Sequence, residues 1–320
     1  MSICVGVDIG GTKIAACAVS PTGEVLRQGR RETPAQDPDQ IVAAVADVAA
    51  ELSQAVAADG GRVDAVGVAC AGFIDRRGET VVFAPNLAWR DEPLKARLEQ
   101  AVALPVVLEN DANAAAWGEF RFGAARAVDD MTLVTLGTGV GGGVVVAGEL
   151  LRGAHGMGAE VGHLRVVPDG HRCGCGNRGC WEVYASGTAL VREARELVSG
   201  GSPHAGALAD RCDGDPAQLT GAMVTEVARA GDPAAVELLE DIGRWTGEGL
   251  ASLAAVLDPA LLVIGGGVSA AGELVLEPAR SAFARNLTGR GYRQAPPLVL
   301  ASLGNEAGMI GAADLAARRT

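Results

Sequence analysis

One local device occurs twice in this sequence: a buried apolar strand that ends in a glycine-rich turn and doubles back as another strand. The first copy is Gly6-Val7-Asp8-Ile9-Gly10-Gly11-Thr12-Lys13-Ile14, and the second is Val134-Thr135-Leu136-Gly137-Thr138-Gly139-Val140-Gly141. One copy alone is a weak signal. Two copies, each opening a block of alternating strands and helices, point to an ancient duplication with a ligand held between the halves. The chain has 320 residues, too many for one small core and suited to two α/β domains facing each other across a cleft.

The elements around these turns follow from periodicity. Ile3 to Asp8 reads as a buried strand, Ile14 to Val19 as its hairpin partner, and Glu24 to Glu32 as a third strand after the Ser20-Pro21-Thr22-Gly23 turn. Asp37 caps a helix, with Pro38 at the first position and Gln40 at the third in the manner of a capping box. Ile41, Val45, Val48, Leu52 and Val56 follow at helical spacing. Val63 to Ala69 and Val106 to Glu109 read as strands with a helix at Pro93 to Val102 between them, a mixed sheet covered by helices. After the second turn, Trp181 to Val198 and Pro233 to Leu257 read as long helices and Gly200 to Gly214 as a surface loop. Leu261 to Ile264 and Leu298 to Ala301 are strands, and Glu273 to Leu287 and Ala307 to Arg318 are helices.

Composition removes several classes. Aromatics are 3% of a chain that is 48% hydrophobic, so Ala, Val, Leu and Gly must fill the core. A net charge of −12, with Lys13 and Lys95 the two lysines, provides little material for a nucleic-acid surface. ATP remains compatible with that charge, because Mg²⁺ neutralises it in part and backbone N–H groups bind phosphate without side-chain charge. Met1 leads straight into Ile3-Cys4-Val5, which predicts no secretory leader. Met131 to Gly148 is uncharged, but its six glycines and three threonines describe a hairpin and not a membrane span. Of seven cysteines, three cluster and four are scattered in apolar surroundings, as in a cytoplasmic protein rather than a secreted disulfide scaffold.

The chemistry-bearing motifs sit at the turns. Asp8 ends a strand, and Gly10, Gly11, Thr12 and Lys13 turn sharply after it. Such a turn aims backbone N–H groups and a hydroxyl at one point, which suits phosphate oxygens, and Asp8 could hold Mg²⁺ directly or through water. A plain hairpin fits the same residues. Gly137, Thr138 and Gly139 match a dinucleotide fingerprint by spacing, but Val144-Val145-Val146 follows where that fingerprint needs a helix. A phosphate clip between strands, or an unliganded hairpin, remains. Gly265, Gly266 and Gly267 lie between a strand and a helix, a geometry that lays backbone against a ring or near a phosphate, or simply makes a tight turn.

Glu109-Asn110-Asp111-Ala112-Asn113 stands between a strand and a helix. Transfer of a phosphoryl group to an alcohol needs a proton acceptor, and Asp111 suits that role unless it only caps the helix. The strongest single signal is Cys173-Gly174-Cys175 with Cys180, preceded by His163. Three thiolates and one imidazole make a closed tetrahedral zinc site, preferred over a redox pair on ligand chemistry; His155 and His171 are weaker ligand candidates. Glu160, His163 and Glu182 around this knuckle can form a rigid hydrogen-bonding set for sugar hydroxyls, or be solvated charges.

Together these motifs, with Pro85-Asn86-Leu87, the run Glu160-Val161-Gly162-His163 and Ile264 to Val268, resemble the ROK family of repressors and sugar kinases over almost the whole chain, most closely its actinobacterial-type ATP-dependent glucokinases. The resemblance implies an α/β, actin/hexokinase-like fold with a duplicated ribonuclease-H-like core, an interdomain cleft that closes on sugar, and assembly as a homo-oligomer, dimer or tetramer. The expected division is a small domain over 1–110, completed by the C-terminal helix at about 303–320, and a large domain over 111–302 with the zinc knuckle. The implied activity is transfer of the ATP γ-phosphoryl group to the 6-hydroxyl of glucose. Asp111 is the implied base. Asn86, Asn110, Glu160, His163 and Glu182 are implied sugar ligands, with His163 binding structural zinc through its other ring nitrogen. Gly10 to Thr12 and Gly137 to Gly139 are implied phosphate ligands, with Gly265 to Gly267 near the adenosine. Alternatives are a kinase for fructose, mannose or an N-acetylated amino sugar, a polyphosphate-using enzyme, and a non-catalytic sugar-sensing regulator. A regulator would carry a DNA-binding segment before the strand at Ile3, and the acidic charge argues against it.

Overall fold

The computed structural model describes residues 3–84 and 87–319. In chain order the strands are β1 (Ile3–Ile9), β2 (Lys13–Val19), β3 (Val25–Glu32), β4 (Val63–Cys70), β5 (Phe73–Ile74), β6 (Val81–Phe83), β7 (Arg90–Glu92), β8 (Val106–Asn110), β9 (Met131–Leu136), β10 (Val140–Val146), β11 (Glu149–Leu150), β12 (Leu261–Gly265) and β13 (Leu298–Leu300). The helices are α1 (Pro38–Ala58), α2 (Leu94–Val102), α3 (Asp111–Arg121), α4 (Glu182–Ala185), α5 (Gly187–Ser199), α6 (Gly206–Arg211), α7 (Gly221–Arg229), α8 (Pro233–Leu257), α9 (Glu273–Asn286) and α10 (Ala307–Ala317). They form two compact units, the first of Met1–Leu133, Gly143–Ala159 and Ser302–Thr320, the second of Val134–Gly142 and Glu160–Ala301.

The first sheet has the order β3-β2-β1-β4-β8, with β1 antiparallel to β2 and parallel to β4, and β4 parallel to β8. The second has the order β11-β10-β9-β12-β13. Numbered within its own block, each sheet reads third, second, first, fourth, fifth, so the duplication expected from the two glycine turns is present as topology.

Small residues set the packing. A Cβ on Gly6 would stand 1.8 Å from the Met309 carbonyl oxygen, and one on Gly67 1.8 Å from that of Ala312. Helix α10 therefore lies flush on β1 and β4, closer than any side chain at those two positions would permit. On α3, Trp117 Nε1 and Arg121 Nε donate to Asp314 Oδ2 of α10 at 2.8 and 3.1 Å. This packing keeps α3 with the first unit.

Helix α1 is long and apolar enough to cross a membrane by length and composition alone. Its Ile41, Val45, Val48, Leu52 and Val56 are instead buried in the core of the first unit, each adding about 1.5–3 kcal/mol on burial. Asp37 Oδ1 accepts from the backbone N–H groups of Asp39 and Gln40, as a cap should. Gln40 departs from the capping box, since its Nε2 donates to the Asp37 carboxylate at 2.6 Å.

Two expected elements differ. The helix read over Trp181 to Val198 is broken at Ser186, whose extended backbone (φ −90°, ψ 166°) separates α4 from α5 and whose Oγ accepts from Ala189 N at 3.1 Å as the cap of α5. The stretch Gly200 to Gly214 is not all loop, because α6 folds within it and buries Leu208.

Candidate active site

In the first unit, register brings acids to one edge of the sheet. Asp8 pairs with Ala69 and Ala69 with Glu109, so the three residues form one row across β1, β4 and β8. Asp111 follows directly after β8 as the first residue of α3. The cap of that helix is Asn110, whose Oδ1 accepts from Asn113 N at 3.1 Å and whose Nδ2 donates to the Gly72 carbonyl at 3.3 Å. Asp111 is thereby released from the capping role that competed with catalysis in the sequence. Its Oδ1 accepts from Ala112 N at 2.9 Å.

Both carboxyl groups are set back from a surface their residues still touch. Burial pushes the pKa of Asp111 up, against hydrogen bonds from Ala112 and Asn110. Burial, then the charge of Asp111, raises Asp8 to about 6, with Lys13 pulling the other way. Two neighbouring carboxyls whose ionised forms burial opposes are suited to a divalent cation or to a proton-accepting task. The turn between them and β2 is closed by Gly10 N donating to Lys13 O at 2.9 Å, and Thr33 fastens it through Oγ1 to Gly10 O at 2.8 Å and N to Thr12 O at 3.2 Å. The Gly10 N–H is therefore engaged within the turn, while Gly11 and Thr12 are exposed.

In the second unit, a ring nitrogen of His163 and the sulfurs of Cys173, Cys175 and Cys180 all lie within 4.8 Å of one another. The His163 Nδ1 to Cys173 Sγ and Cys175 Sγ to Cys180 Sγ separations are both 3.6 Å. Tetrahedral zinc with bonds of about 2.0–2.3 Å spaces its ligands by about 3.5–3.8 Å. The donors fit a closed metal site in number, type and spacing. His155 and His171 are not among them; the His171 ring packs 5.4 Å from that of Tyr184.

Glu182 borders this cage and the second glycine turn together. Glu182 Oε1 lies 2.9 Å from Cys173 Sγ and 3.6 Å from His163 Nδ1. Its Oε2 lies 2.6 Å from where a Cβ on Gly139 would stand, so a side chain at 139 would displace it. Glu160 precedes the short turn Val161–His163, whose Gly162 abuts the Val140 carbonyl at the start of β10.

The glycine turn itself is fixed from behind by α5. Gly187 N donates to Gly137 O at 2.7 Å, and Thr188 Oγ1 to Thr138 O at 2.6 Å. Gly137, Thr138, the start of α5, α7 and Gly267 line one cavity of about 1080 Å³. Helix α5 borders this space along its length, from Gly187 and Thr188 to Ser199. Gly266 serves packing, since its φ of +85° and a virtual Cβ contact of 2.6 Å with Leu136 exclude any other residue, and Gly265 ends β12. Asn86 lies outside the described residues.

Sequence reasoning missed the start of α5 and the lining contributed by α7. The triplet Ser186-Gly187-Thr188 is a helix-start signal that could have revealed the first of these. It also missed Arg152, whose Nε donates to Glu109 Oε2 at 2.7 Å.

The model of the ROK family matches residues 4–319, and the chain belongs to that family. It is 47% identical to a glucokinase of Streptomyces coelicolor over 99% of this chain and 98% of that protein. A ROK family glucokinase from Streptomyces griseus, solved in complex with glucose and AMPPNP, superposes with a TM-score of 0.90 at 49% identity, covering 99% of this chain and all of that one. A ROK hexokinase from Thermus thermophilus has a TM-score of 0.78 at 36% identity over 99% and 98% of the two chains.

Proposed function

We propose that this chain is an ATP-dependent glucokinase, transferring the γ-phosphoryl group to the 6-hydroxyl of glucose to give glucose 6-phosphate and ADP. One observation carries most of the reading: Glu182, at the metal cage, lies directly against Gly139 of a turn that opens on a helix-lined cavity. A polyol-binding set and a phosphate-binding turn so close are what transfer between a sugar and a nucleotide requires. The identities to glucokinases over the full length support glucose and ATP as the pair.

In this reading Asp111 accepts the proton of the attacking hydroxyl. Glu160, His163 and Glu182, with Asn86 and Asn110, hold the remaining hydroxyls. Zinc bound by His163, Cys173, Cys175 and Cys180 keeps this set rigid and leaves Nε2 of His163 for the sugar. Gly11, Thr12, Lys13 and the Gly137–Gly139 turn hold phosphate, and the Gly265–Gly267 turn lies near the adenosine. Magnesium bound with ATP supplies charge neutralisation, and Asp8 is the carboxylate suited to it. The enzyme works in the cytoplasm as a homo-oligomer.

A coupled assay of a sugar panel against ATP, GTP and polyphosphate tests the reading. Glucose with ATP is expected to give the highest kcat/KM. Faster turnover of fructose, mannose or an N-acetylated amino sugar would overturn the glucose assignment, faster turnover with polyphosphate the donor assignment, and no turnover of any pair the enzyme itself.

A further inference from the structure

Glu109 is almost completely enclosed, at 7% side-chain exposure, yet its carboxylate has a donor on each side. Oε1 accepts from Asn110 N and from Asn113 Nδ2, both at 3.1 Å, and Oε2 accepts from Arg152 Nε at 2.7 Å. The two donors on Oε1 flank Asp111 in the strand-to-helix turn. The donor on Oε2 comes from the segment after β11, and that segment is itself held. Gly158 N donates to Arg152 O at 2.9 Å, and Gly156 lies so close to the Ile74 and Arg76 backbone that a Cβ there would stand 2.4 Å from Ile74 O. A buried carboxylate with its cation removed would be costly in itself and would stand, uncompensated, in the same row as Asp8 and two residues from Asp111.

We propose that Arg152 and Glu109 are positioning residues for Asp111: the buried ion pair fixes the turn 110–113 and so aims the Asp111 carboxylate, without either residue touching substrate. This rests on the reading of Asp111 as the proton acceptor. The pair links two parts of the chain distant in sequence, so the aim of Asp111 depends on the anchoring of the loop after β11 as well as on its own helix. A displacement of about 1 Å in a reacting group is enough to lose about 10²-fold in rate.

The test measures kcat and glucose Kd for Arg152→Met, Glu109→Gln with Arg152→Met, Asp111→Asn, and Asp111→Asn with Arg152→Met. Arg152→Met is expected to lose about 30- to 100-fold in kcat with glucose Kd within about threefold of wild type. The neutral pair, which leaves no unpaired buried charge, is expected to recover at least about tenfold of that loss. In the Asp111→Asn background the Arg152 change is expected to alter the residual rate by less than about threefold, because there is no longer a base to aim. The proposal is overturned if Arg152→Met keeps kcat within about threefold, if glucose Kd rises in step with the rate loss, or if the loss is as large without the Asp111 carboxylate. Should Arg152→Met not fold, Arg152→Lys keeps the charge and loses the Nε bond. About a tenfold loss in kcat is then expected, and a change under about twofold overturns the proposal. Near-normal turnover of Asp111→Asn refutes the Asp111 reading itself; an inactive Asp111→Asn beside an active Arg152→Met refutes the positioning pair alone.

Discussion

In the first sheet the turn after β1 is fastened by Thr33, through its hydroxyl and its N–H, and stands beside two carboxyl groups whose ionisation burial opposes. In the second sheet the turn after β9 is fastened by the first residues of α5 and stands beside a Cys₃His cage. The two sheets have one strand order, and they part at the connection leaving the third strand. After β3 the chain enters α1 within a few residues; after β11 it carries the whole loop that brings His163 and the three cysteines together before reaching α5. Duplication preserved the turn as a device; the long connection after β11 added the Cys₃His group to the second copy, while the acids of the first stand at the end of β1 and just after β8.

If that division of labour holds, damage to the first copy should destroy chemistry and spare sugar binding. Asp111→Asn keeps the shape and removes the proton acceptor, so kcat should fall by about 10³-fold while glucose Kd, read by calorimetry, stays within about threefold. A parallel loss of both would mean that the copies are not specialised in this way.

Damage to the second copy should do the converse. Cys175 is the exposed member of the cage, and Cys175→Ser removes one of four donors. Metal analysis of the purified protein should fall from one zinc per chain to a small fraction, with glucose Kd weakened at least about tenfold, the scale on which supporting interactions of metal sites act. Zinc absent from the unmodified protein, or glucose binding unchanged after its loss, would remove the cage from the sugar site.

The acids of the first copy also set a pH signature. Protonated Asp111 cannot accept, so kcat/KM should be full at high pH and fall about tenfold per unit below its raised pKa, which places the acid limb above the ordinary carboxylate value of about 3.9. For stability the sign is opposite. Asp8, raised from 3.8 to about 6, gives its contribution in full below 3.8 and loses it as pH rises through 6. Asp8→Asn should therefore raise the Tm of the ligand-free protein at pH 8, by about 5 °C, and leave it unchanged at pH 3.5. An equal shift at both pH values would show that the charge of Asp8 is not the cause.

Much of this contrast was legible in the residues. Glycine turns flanked by Val- and Ile-rich strands identified both sheets, because buried strands leave unmistakable apolar runs. Cys173, Cys175, Cys180 and His163 identified the cage, because few other chemistries use that set. Three things were not legible. Asn110 and Asp111 are both able caps, and only the backbone decides which of them caps α3. The apolar spacing of Val183, Leu190 and Ala194 continues across Ser186, so helical period hid the break that creates the start of α5. The Glu109–Arg152 pair joins residues far apart in sequence, and no local spacing encodes a contact made by topology.

The finest discrimination between the copies lies in their equivalent helices, α1 and α5, each coming after the third strand of its sheet and each capped by a side chain. Replacing either cap by alanine, as Asp37→Ala or Ser186→Ala, removes a bond to an otherwise unsatisfied N–H and should destabilise by about 1 kcal/mol, or about 2–4 °C in Tm. Function should separate them. The start of α5 is bonded directly to Gly137 and Thr138, which line the cavity, so fraying there should loosen the turn proposed to hold phosphate. Ser186→Ala should raise the KM for ATP by about three- to tenfold, the range of a lost helix-end interaction of about 1 kcal/mol, with the KM for glucose unchanged. Among the described residues the hydrogen bonds of the Asp37 carboxylate go to Asp39 and Gln40 of its own helix, so Asp37→Ala should leave both KM values where they are. Equal effects of the two substitutions on the KM for ATP would mean that the first turn depends on its helix as closely as the second does, and the asymmetry between the copies would then rest on the metal cage and the acids alone.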